Sequence, residues 1–484
     1  MNSHSPPAAH GGERSFIRTL GNVDIFFLGF GSMIGFGWIV LSGDWLLAAG
    51  SLGAAVAFII GGIIMAFVGL VYSELVSAMP LAGGEHNYLL RGLGPVAALL
   101  GSWGIIGGYL TVILFESVAV PRTALYLFPD LNQIPLWTIA GSEVHLTWAL
   151  IGSGTALLLT LLNIRGIRLA SLFQTSVMMF LVVIAVIMFI SAFFGGDTSN
   201  MQPFFTGGAP GLIAVLVVVP FLFVGFDVIP QSAEEANVAP RQIGKLVVLS
   251  VIMAAAFYIG ILILTSLAVP VSQIGGLDLA TADAMSIMLG ADFWGQLVVA
   301  AGLAGIVTTW NAFLIGASRL LWAMANSGMI PAWFAKMHPT NGTPVNAILF
   351  IGVASMIAPF FGEAMLVWAV DSGSPSIVIT YLMVAIVFLV LRRREPDMER
   401  PMRVGGDRPG IGTIVGVLAV VSTAGMLSLY LPGMPAFLSW EAWIMFGVWW
   451  ALGLVFAFRL PRGVKPGPNA EEDLLELIAA RKNG

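Results

Sequence analysis

Long apolar runs separated by short polar segments fill most of the chain. A helix that crosses a lipid bilayer needs roughly 20 apolar residues. The runs reach that length, so the pattern predicts about twelve spanning helices. Their predicted ranges are 23–48, 52–79, 95–127, 147–163, 168–194, 210–233, 245–269, 293–325, 345–361, 364–391, 411–431 and 437–459.

The two ends of the chain are polar and do not continue this pattern. Residues 1–22 are rich in proline, histidine and glycine, and they lack the basic start and apolar core of a signal peptide. We predict a cytoplasmic tail there and a second cytoplasmic tail over residues 460–484.

The first and sixth predicted helices are interrupted near their middles. The first carries three glycines within residues 31–37. In the sixth, Pro220 and Pro230 bracket Gly225 and Asp227. Glycine and proline disfavour a continuous helix, and unwound backbone at membrane depth is tolerated only where protein or a water-filled cavity satisfies it.

Breaks at these two positions predict an inverted repeat, in which helices 1–5 (23–194) are repeated by helices 6–10 (210–391) and two more helices follow in 392–459. The ends of half-helices offer free N–H groups to a carboxylate and free carbonyls to a cation. A zwitterionic amino acid matches both. The alternative is that the glycines only permit close helix packing, and Gly31 and Gly35 have that spacing.

Composition agrees with a membrane protein and excludes other classes. Hydrophobic residues make up 58% of the 484 residues and charged residues only 10%, whereas soluble domains carry about 25% charged residues. The net charge of −5 gives no basic footprint for nucleic acid. Cysteine and the HExxH motif are absent from the sequence, so we predict no metal site, no cofactor and no enzyme activity. The oligomeric state stays open.

Basic residues segregate along the predicted topology. With an N-terminus in the cytoplasm and twelve crossings, every lysine and arginine except Arg122 falls on the cytoplasmic side. Cytoplasmic loops of membrane proteins carry such an excess. We therefore expect a multi-pass protein of the cell membrane with both termini in the cytoplasm.

Four motifs occur in a fixed order along the chain. They are residues 31–37, residues 72–75 with 80–85, residues 223–227 with 234–237 and Pro240, and residues 318–324 with 328–331. Together they resemble the amino acid–polyamine–organocation (APC) superfamily of secondary transporters over nearly the whole chain. The resemblance implies an all-α, LeuT-type fold of twelve transmembrane helices with a 5+5 inverted repeat, discontinuous helices 1 and 6 and two extra C-terminal helices.

The resemblance also implies a substrate site. Amides around Gly35, Phe36 and Gly37 would hold a substrate carboxylate. The carbonyls of Met33, Phe221 and Val224 would hold its amine. Phe221 would be an aromatic gate. The full implied set of substrate residues is Met33, Ile34, Gly35, Phe36, Gly37, Phe221, Val224, Gly225, Asp227 and Phe313.

Three acidic residues at membrane depth are candidates for ion coupling or substrate selectivity, because a charge there costs roughly 2.5–3.5 kcal/mol. Asp227 is a candidate to carry a proton or bind a cationic group, with a helix cap as its alternative role. Glu116 is a candidate to favour amines, with a pairing to Arg122 as the alternative. Asp371 either contributes to a cationic-substrate site or caps a helix kink.

The sequence leaves H⁺ and Na⁺ as the two candidate coupling ions. Related proton-driven transporters often carry a lysine in helix five, and residues 169–194 contain none. Thr308, Thr309 and Asn311 are weak candidates to supply oxygens to sodium, although such hydroxyls more often bond to their own helix.

Acidic residues near the cytoplasmic face are predicted to form ion pairs that act as an inner gate or a structural clamp. The acids are Glu74, Glu85, Glu234 and Glu235, and the predicted partners are Arg14, Arg18, Arg91 and Arg319.

The sequence thus predicts a secondary active transporter that moves an amino acid by alternating access, with the lipid bilayer as its surroundings. The alternative substrate is a polyamine or another organic amine. A channel or a membrane enzyme is not favoured, because the sequence shows neither a filter repeat nor a nucleophile–base cluster.

Overall fold

The computed structural model describes residues 16–483, which are almost entirely helical. Residues 1–15 of the predicted N-terminal tail, with Arg14, lie outside the described residues. The sheet within the described range is one antiparallel pair, β1 (Pro135–Ile139) and β2 (Ser142–His145). The protein is therefore an all-α membrane protein with a small extramembrane hairpin.

The α-helices and the short 3-10 helices follow one another along the whole described chain. In chain order the α-helices are α1 (Asn22–Met33), α2 (Gly37–Val40), α3 (Ser42–Ala49), α4 (Ser51–Ala78), α5 (Glu85–Leu93), α6 (Pro95–Ala124), α7 (Leu146–Ile164), α8 (Ile167–Gly195), α9 (Gly208–Leu216), α10 (Val219–Phe223), α11 (Val228–Gln231), α12 (Pro240–Ala268), α13 (Val271–Ile274), α14 (Ala280–Leu289), α15 (Asp292–Asn326), α16 (Val345–Ile357), α17 (Ala364–Arg394), α18 (Pro409–Ser428), α19 (Trp440–Arg459) and α20 (Ala470–Asn483). The 3-10 helices are Pro129–Leu131, Thr198–Met201, Ala233–Glu235, Ala332–Ala335 and Ala358–Phe361.

Eleven segments of residues 16–483 are long and apolar enough to cross a membrane. They match eleven of the predicted spans in position. The predicted ninth span, 345–361, is instead the 13-residue helix α16 followed by a 3-10 turn at Ala358–Phe361. Pro359 in that turn has no N–H for a helical hydrogen bond, so the α-helix ends before it.

Helix α6 lies at the centre of the bundle, where it packs against α15, α17 and α19. Glycines on α6 allow this close approach. A Cβ atom on Gly108 would lie 2.3 Å from Ile377 of α17, and one on Gly107 would lie 2.4 Å from the Trp449 indole of α19. Small residues let helix backbones approach closely in membranes, and here they bring the polar side chains of α6 into the protein interior.

Both predicted interruptions are present as breaks in the helices. Helix α1 ends at Met33 and α2 begins at Gly37, so residues 34–36 are not helical. Helix α10 ends at Phe223 and α11 begins at Val228, so residues 224–227 are not helical.

The two breaks lie against each other. Gly225 has φ +131°, a conformation that other L-residues rarely adopt. A Cβ atom on Gly225 would lie 2.3 Å from the Oγ atom of Ser32 and 2.6 Å from its Cβ atom. Glycine at this position therefore permits both the turn and the contact of the second break with the last turn of α1.

The two ends of the described chain meet at one end of the bundle. The N–H groups of Thr19 and Leu20 donate to the carbonyl of Glu235, at 2.9 and 3.0 Å. The Ser327 hydroxyl, just after α15, donates to Glu471 of α20 at 2.8 Å. We call this end of the bundle the terminal face.

Candidate functional site

A narrow cavity lies beside the two breaks. Its wall comes from α1, α2, α6, α10, α12, α15 and the first break. The predicted substrate residues in that wall are Met33, Gly35, Phe36, Gly37, Phe221 and Phe313. The predicted substrate residues outside the wall are Ile34, Val224, Gly225 and Asp227, which form or adjoin the breaks.

The carbonyl of Met33, predicted to bind a substrate amine, already accepts a hydrogen bond. Its donor is the hydroxyl of Tyr258 on α12, at 2.8 Å. Tyr258 also lines the cavity, and no sequence motif identified it. A carbonyl has two lone pairs, so the tyrosine orients this group and leaves one acceptor direction for a ligand.

Glu116 of α6 is fully buried in the cavity wall. Its Oε1 atom would lie 2.5 Å from a Cβ atom on Gly35, so the carboxyl group rests directly on the first break. The backbone of Phe36 faces it, and within the described chain neither carboxyl oxygen has a hydrogen-bond partner of ordinary geometry. Glu116 therefore lies where the sequence predicted the carboxylate of a substrate.

The alternative partner predicted for Glu116 is occupied elsewhere. Arg122 follows Glu116 on α6 by between one and two helical turns. Its Nη1 atom is 3.9 Å from the Oε2 atom of Glu363. Both side chains of that pair are almost half exposed. Glu116 is thus a buried carboxyl group in the cavity rather than half of a surface ion pair.

An aromatic layer covers one side of the cavity. The rings of Phe36 and Phe115 stack with their centroids 3.5 Å apart, and Phe221 lies 6.3 and 6.2 Å from them. Phe36 and Phe221 face the cavity, whereas Phe115 faces a second, larger space. The predicted gate residue Phe221 therefore belongs to a three-ring layer.

The larger space is an open vestibule on the far side of this layer from the cavity. Arg122, Asp44 and Asp371 contribute to its wall. Asp371 is predicted for substrate selectivity, but it lies in the vestibule and not in the cavity. A role for Asp371 in direct substrate binding therefore requires a ligand in the vestibule.

Asp227 stabilises the second break from within. Its Oδ1 atom accepts a hydrogen bond from the N–H of Gly225 at 2.8 Å. Its side chain is fully buried, and the hydroxyls of Tyr109 and Tyr381 face it from α6 and α17. Asp227 stands at the N-cap position of α11, but its side chain makes no capping hydrogen bond to that helix. Its Oδ2 atom has no hydrogen-bond partner among the described residues.

The residues predicted as sodium ligands take part in a network of neutral hydrogen bonds. The Thr309 hydroxyl donates to the carbonyl of Gly31 at 3.0 Å, and the Thr308 hydroxyl donates to the carbonyl of Gly305 at 2.9 Å. The Asn311 amide donates to Gln174 of α8 at 3.0 Å, and Gln174 donates to the carbonyl of Phe27 at 3.3 Å. Gln174 was not predicted from the sequence. Its polar side chain inside an otherwise apolar helix was the feature that could have identified it.

Two buried ion pairs hold the terminal face together. Arg319 of α15 donates to both carboxyl oxygens of Glu235 at 3.0 and 3.1 Å, and each side chain is 1% exposed. Glu74 of α4 binds Arg392 and Arg400, at 2.9 and 3.0 Å to Oε1. The pair of Glu235 with Arg319 agrees with one predicted pairing, whereas the partners of Glu74 come from the segment that follows α17.

The predicted arginine pairing of Glu85 is wrong. Arg91, the nearest predicted partner along the chain, binds Glu395 at 2.6 Å. Glu85 is fully buried, and within residues 16–483 neither of its oxygens has a hydrogen-bond partner. Glu234 also lacks an arginine pair in the described chain, and its Oε2 atom accepts from the N–H of Ala82 at 3.3 Å.

Comparisons with known proteins agree with this arrangement. A family model described as amino acid permease matches residues 20–456. The branched-chain amino acid permease BcaP of Bacillus subtilis is 26% identical over 94% of this chain and 95% of its own. The vacuolar cationic amino acid transporter 8 of Arabidopsis thaliana is 26% identical over 91% and 72%, and the aspartate–proton symporter of Bacillus subtilis is 26% identical over 85% and 79%.

The first prediction concerns the contact between the breaks. We expect Gly225→Ala to lower the thermal unfolding midpoint and to abolish ligand binding, because the new Cβ atom meets Ser32 in a backbone conformation that alanine disfavours. Gly433→Ala is the matched control, since Gly433 also has positive φ but nothing lies within 4 Å. Equal midpoints for the two variants would contradict the prediction.

The second prediction concerns the ion pair of Glu235 with Arg319. Arg319→Leu leaves a buried carboxylate without its partner, which destabilises proteins by about 3–5 kcal/mol. Arg122→Leu, which breaks the exposed pair with Glu363, should cost less than about 1 kcal/mol. Thermal unfolding of the two purified variants measures the difference, and a smaller effect at Arg319 than at Arg122 would refute it.

Proposed function

The chain belongs to the amino acid permease family, and from that premise we propose that the cavity between the two helix breaks is its substrate site. The protein is an amino acid transporter of the membrane and not an enzyme. The observation that carries the proposal is the contact of Ser32 with Gly225, which brings the second break against the end of α1, beside the small space that the first break lines.

The proposed binding mode uses the free ends of the half-helices. The amides of Gly35, Phe36 and Gly37 lie before and at the start of α2, where N–H groups lack helical partners and attract a carboxylate. The carbonyl of Met33 ends α1 and attracts an ammonium group. Phe221 then covers the ligand from the vestibule side.

The distribution of carboxyl groups favours an amino acid over a polyamine. A polyamine needs several separated negative charges, but of the three acidic candidates only Glu116 lines the cavity. Asp371 lies in the vestibule, and Asp227 lies beyond the cavity wall. The side chains of Val112, Leu222 and Phe313 form the apolar part of the wall, and apart from Glu116 the wall carries no charged side chain. We therefore propose an amino acid with an uncharged, apolar side chain.

The proposal includes a twelve-helix topology with a 5+5 inverted repeat and cytoplasmic termini. The support for the repeat is the corresponding position of the two breaks, and α16 with its 3-10 turn would be the ninth crossing. The support for the orientation is charge: the terminal face carries Arg91, Arg319 and Arg392, whereas Arg122 faces the vestibule. The membrane would be the cell membrane.

Alternating access would open the cavity on one side at a time. The outer barrier is the three-ring layer of Phe36, Phe115 and Phe221. The inner barrier is the terminal face, with the ion pairs of Glu74 and Glu235. Hydrophobic rings on one side and separable ion pairs on the other can each part without unfolding a helix.

We propose H⁺ rather than Na⁺ as the coupling ion. The hydroxyls of Thr308 and Thr309 already donate to carbonyls, and Asn311 is engaged by Gln174. Glu116, in contrast, is a buried carboxyl group that rests where a substrate carboxylate would bind. Two carboxylates repel each other strongly in a medium of low dielectric constant, so the substrate would enter only when Glu116 carries a proton.

The direct test of the proposed function is counterflow in liposomes that contain the purified protein. Vesicles preloaded with unlabelled leucine should accumulate labelled leucine transiently, as a carrier does and a channel does not. A panel with leucine, alanine, lysine and putrescine determines the substrate class. Failure of every amino acid in the panel, with putrescine active, would replace this proposal by the polyamine alternative.

The third prediction concerns sodium. We expect the rate of leucine counterflow to be the same in sodium buffer and in choline buffer. The Thr308 and Thr309 hydroxyls are held by carbonyls of the protein, and the side-chain oxygen of Asn311 already accepts from the amide of Asn163. A rate that falls about tenfold or more without sodium would contradict proton coupling. Such a fall corresponds to about 1.4 kcal/mol of free energy contributed by sodium.

The fourth prediction concerns Glu116. Glutamine at this position is permanently neutral, so Glu116→Gln should retain counterflow while leucine accumulation driven by a pH gradient falls about tenfold or more. The matched control is Glu363→Gln, which removes a half-exposed carboxylate on the vestibule side and should change neither measurement. Unaltered pH-driven accumulation in Glu116→Gln would assign coupling to another group.

A further inference from the structure

A second group of acidic and hydroxyl side chains is buried on the side of the second break away from the substrate cavity. All of its members are at most 1% exposed, and each has a side-chain oxygen without a hydrogen-bond partner among the described residues. We call this group the acidic chamber. Its members are Glu85, Asp227, Tyr72, Tyr88, Tyr109 and Tyr381.

The chamber brings together residues from five separate parts of the chain. Glu85 begins α5, directly after the loop in which Gly84 packs against the backbone of Gln231 at the end of α11. That packing places Glu85 close enough to Asp227 for their charges to interact. The tyrosines come from α4, α5, α6 and α17, and the ring of Tyr72 lies 6.4 and 5.8 Å from those of Tyr88 and Tyr381.

No basic side chain of residues 16–483 balances the two carboxyl groups of the chamber. The nearby arginines Arg319 and Arg91 are committed to Glu235 and Glu395. His86 follows Glu85 directly, but its ring nitrogens contact the hydroxyls of Ser102 and Ser327 at 3.3 and 2.9 Å. Burial lowers the pKa of His86 to about 4, so its ring is neutral at physiological pH.

Two buried carboxyl groups this close do not both ionise without a counter-charge, because desolvation and mutual repulsion act in the same direction. The available hydroxyls stabilise one negative charge. Asp227 accepts a hydrogen bond from the N–H of Gly225. The hydroxyls of Tyr109 and Tyr381 face its carboxyl group, without a hydrogen bond of ordinary geometry. Glu85 has the amide of Gln231 beside it, and burial together with the charge of Asp227 raises the pKa of Glu85 well above its usual range.

We propose that Glu85 and Asp227 together bind one exchangeable proton in the acidic chamber, with Glu85 as its main holder. This is a second ionisable site, separate from Glu116 in the substrate cavity. Its two carboxyl groups are fully buried, so it gains contact with water only when the helices around it move apart. The binding of the proton does not depend on the proposed function; its use in transport, as the proton released toward the cytoplasm, rests on that function.

The site has a consequence for stability that is independent of transport. A carboxyl group whose pKa is raised in the folded state binds more protons there than in the unfolded chain. The free energy of unfolding is therefore highest at acid pH and falls as the pH rises. Glu85→Gln removes this loss because glutamine is neutral throughout. The variant should melt at the same temperature as the wild type at acid pH and at least about 2 °C higher at alkaline pH.

The experiment combines this melting curve with infrared spectroscopy of the purified, full-length protein. The wild type should show the absorption of protonated, buried carboxyl groups that disappears on titration to alkaline pH. Glu85→Gln should lose a component of this absorption that Glu116→Gln retains. Glu234→Gln is the matched control, since Glu234 lies on the same side of the protein but is only half-buried. The control should keep both the absorption and the pH dependence of melting.

A second variant keeps the test decisive if Glu85→Gln fails to fold. Tyr381→Phe removes a hydroxyl that faces Asp227 and should move the infrared titration of the carboxyl group to higher pH. An unchanged absorption in Glu85→Gln, or its absence from the wild type at acid pH, would overturn the proposal. These measurements need no substrate, so their failure is distinct from a failure of leucine counterflow.

Discussion

The structure depends on the need to satisfy unwound backbone inside a membrane protein. Where α1 and α10 stop, peptide groups lose their helical partners in a region without bulk water. The protein supplies replacements from neighbouring helices: Tyr258 binds the carbonyl of Met33, Thr309 binds the carbonyl of Gly31, and Asp227 binds the N–H of Gly225. The groups that retain a free bonding direction then surround the cavity, which is why the proposed substrate site lies there.

Charge is distributed by the same constraint. Acidic groups at the terminal face that hold the fold are paired with arginine, as Glu74 and Glu235 are. The acidic groups nearest the breaks, Glu116, Asp227 and Glu85, have no such partner within the described chain. A buried carboxyl group without a nearby cation is costly to ionise. The paired acids therefore hold the fold, and the unpaired acids are those for which we propose proton binding.

Several features could be predicted because they depend on short stretches of sequence. Three glycines in residues 31–37 and the Pro–Gly–Asp–Pro pattern of residues 220–230 disfavour helix locally, so the sequence is sufficient to locate both breaks. The ninth span was harder to predict, because apolar composition continues through Pro359 while the α-helix does not. The predicted pairing of Glu85 with arginine was wrong. The polar loop before Glu85 suggested exposure, but Gly84 in that loop packs against the end of α11 and Glu85 is buried.

The membrane class, the approximate positions of the spans and the sites of the two breaks follow from the amino-acid order alone, because each reflects local composition and backbone preference. Three contacts instead arise from the packing of whole helices: Ser32 against Gly225, Glu116 on the first break, and Glu85 near Asp227. Those contacts join residues that are distant along the chain, and they depend on how closely small side chains let whole helices approach. Periodicity in a sequence records which face of a helix is apolar, but not which partner that face will meet.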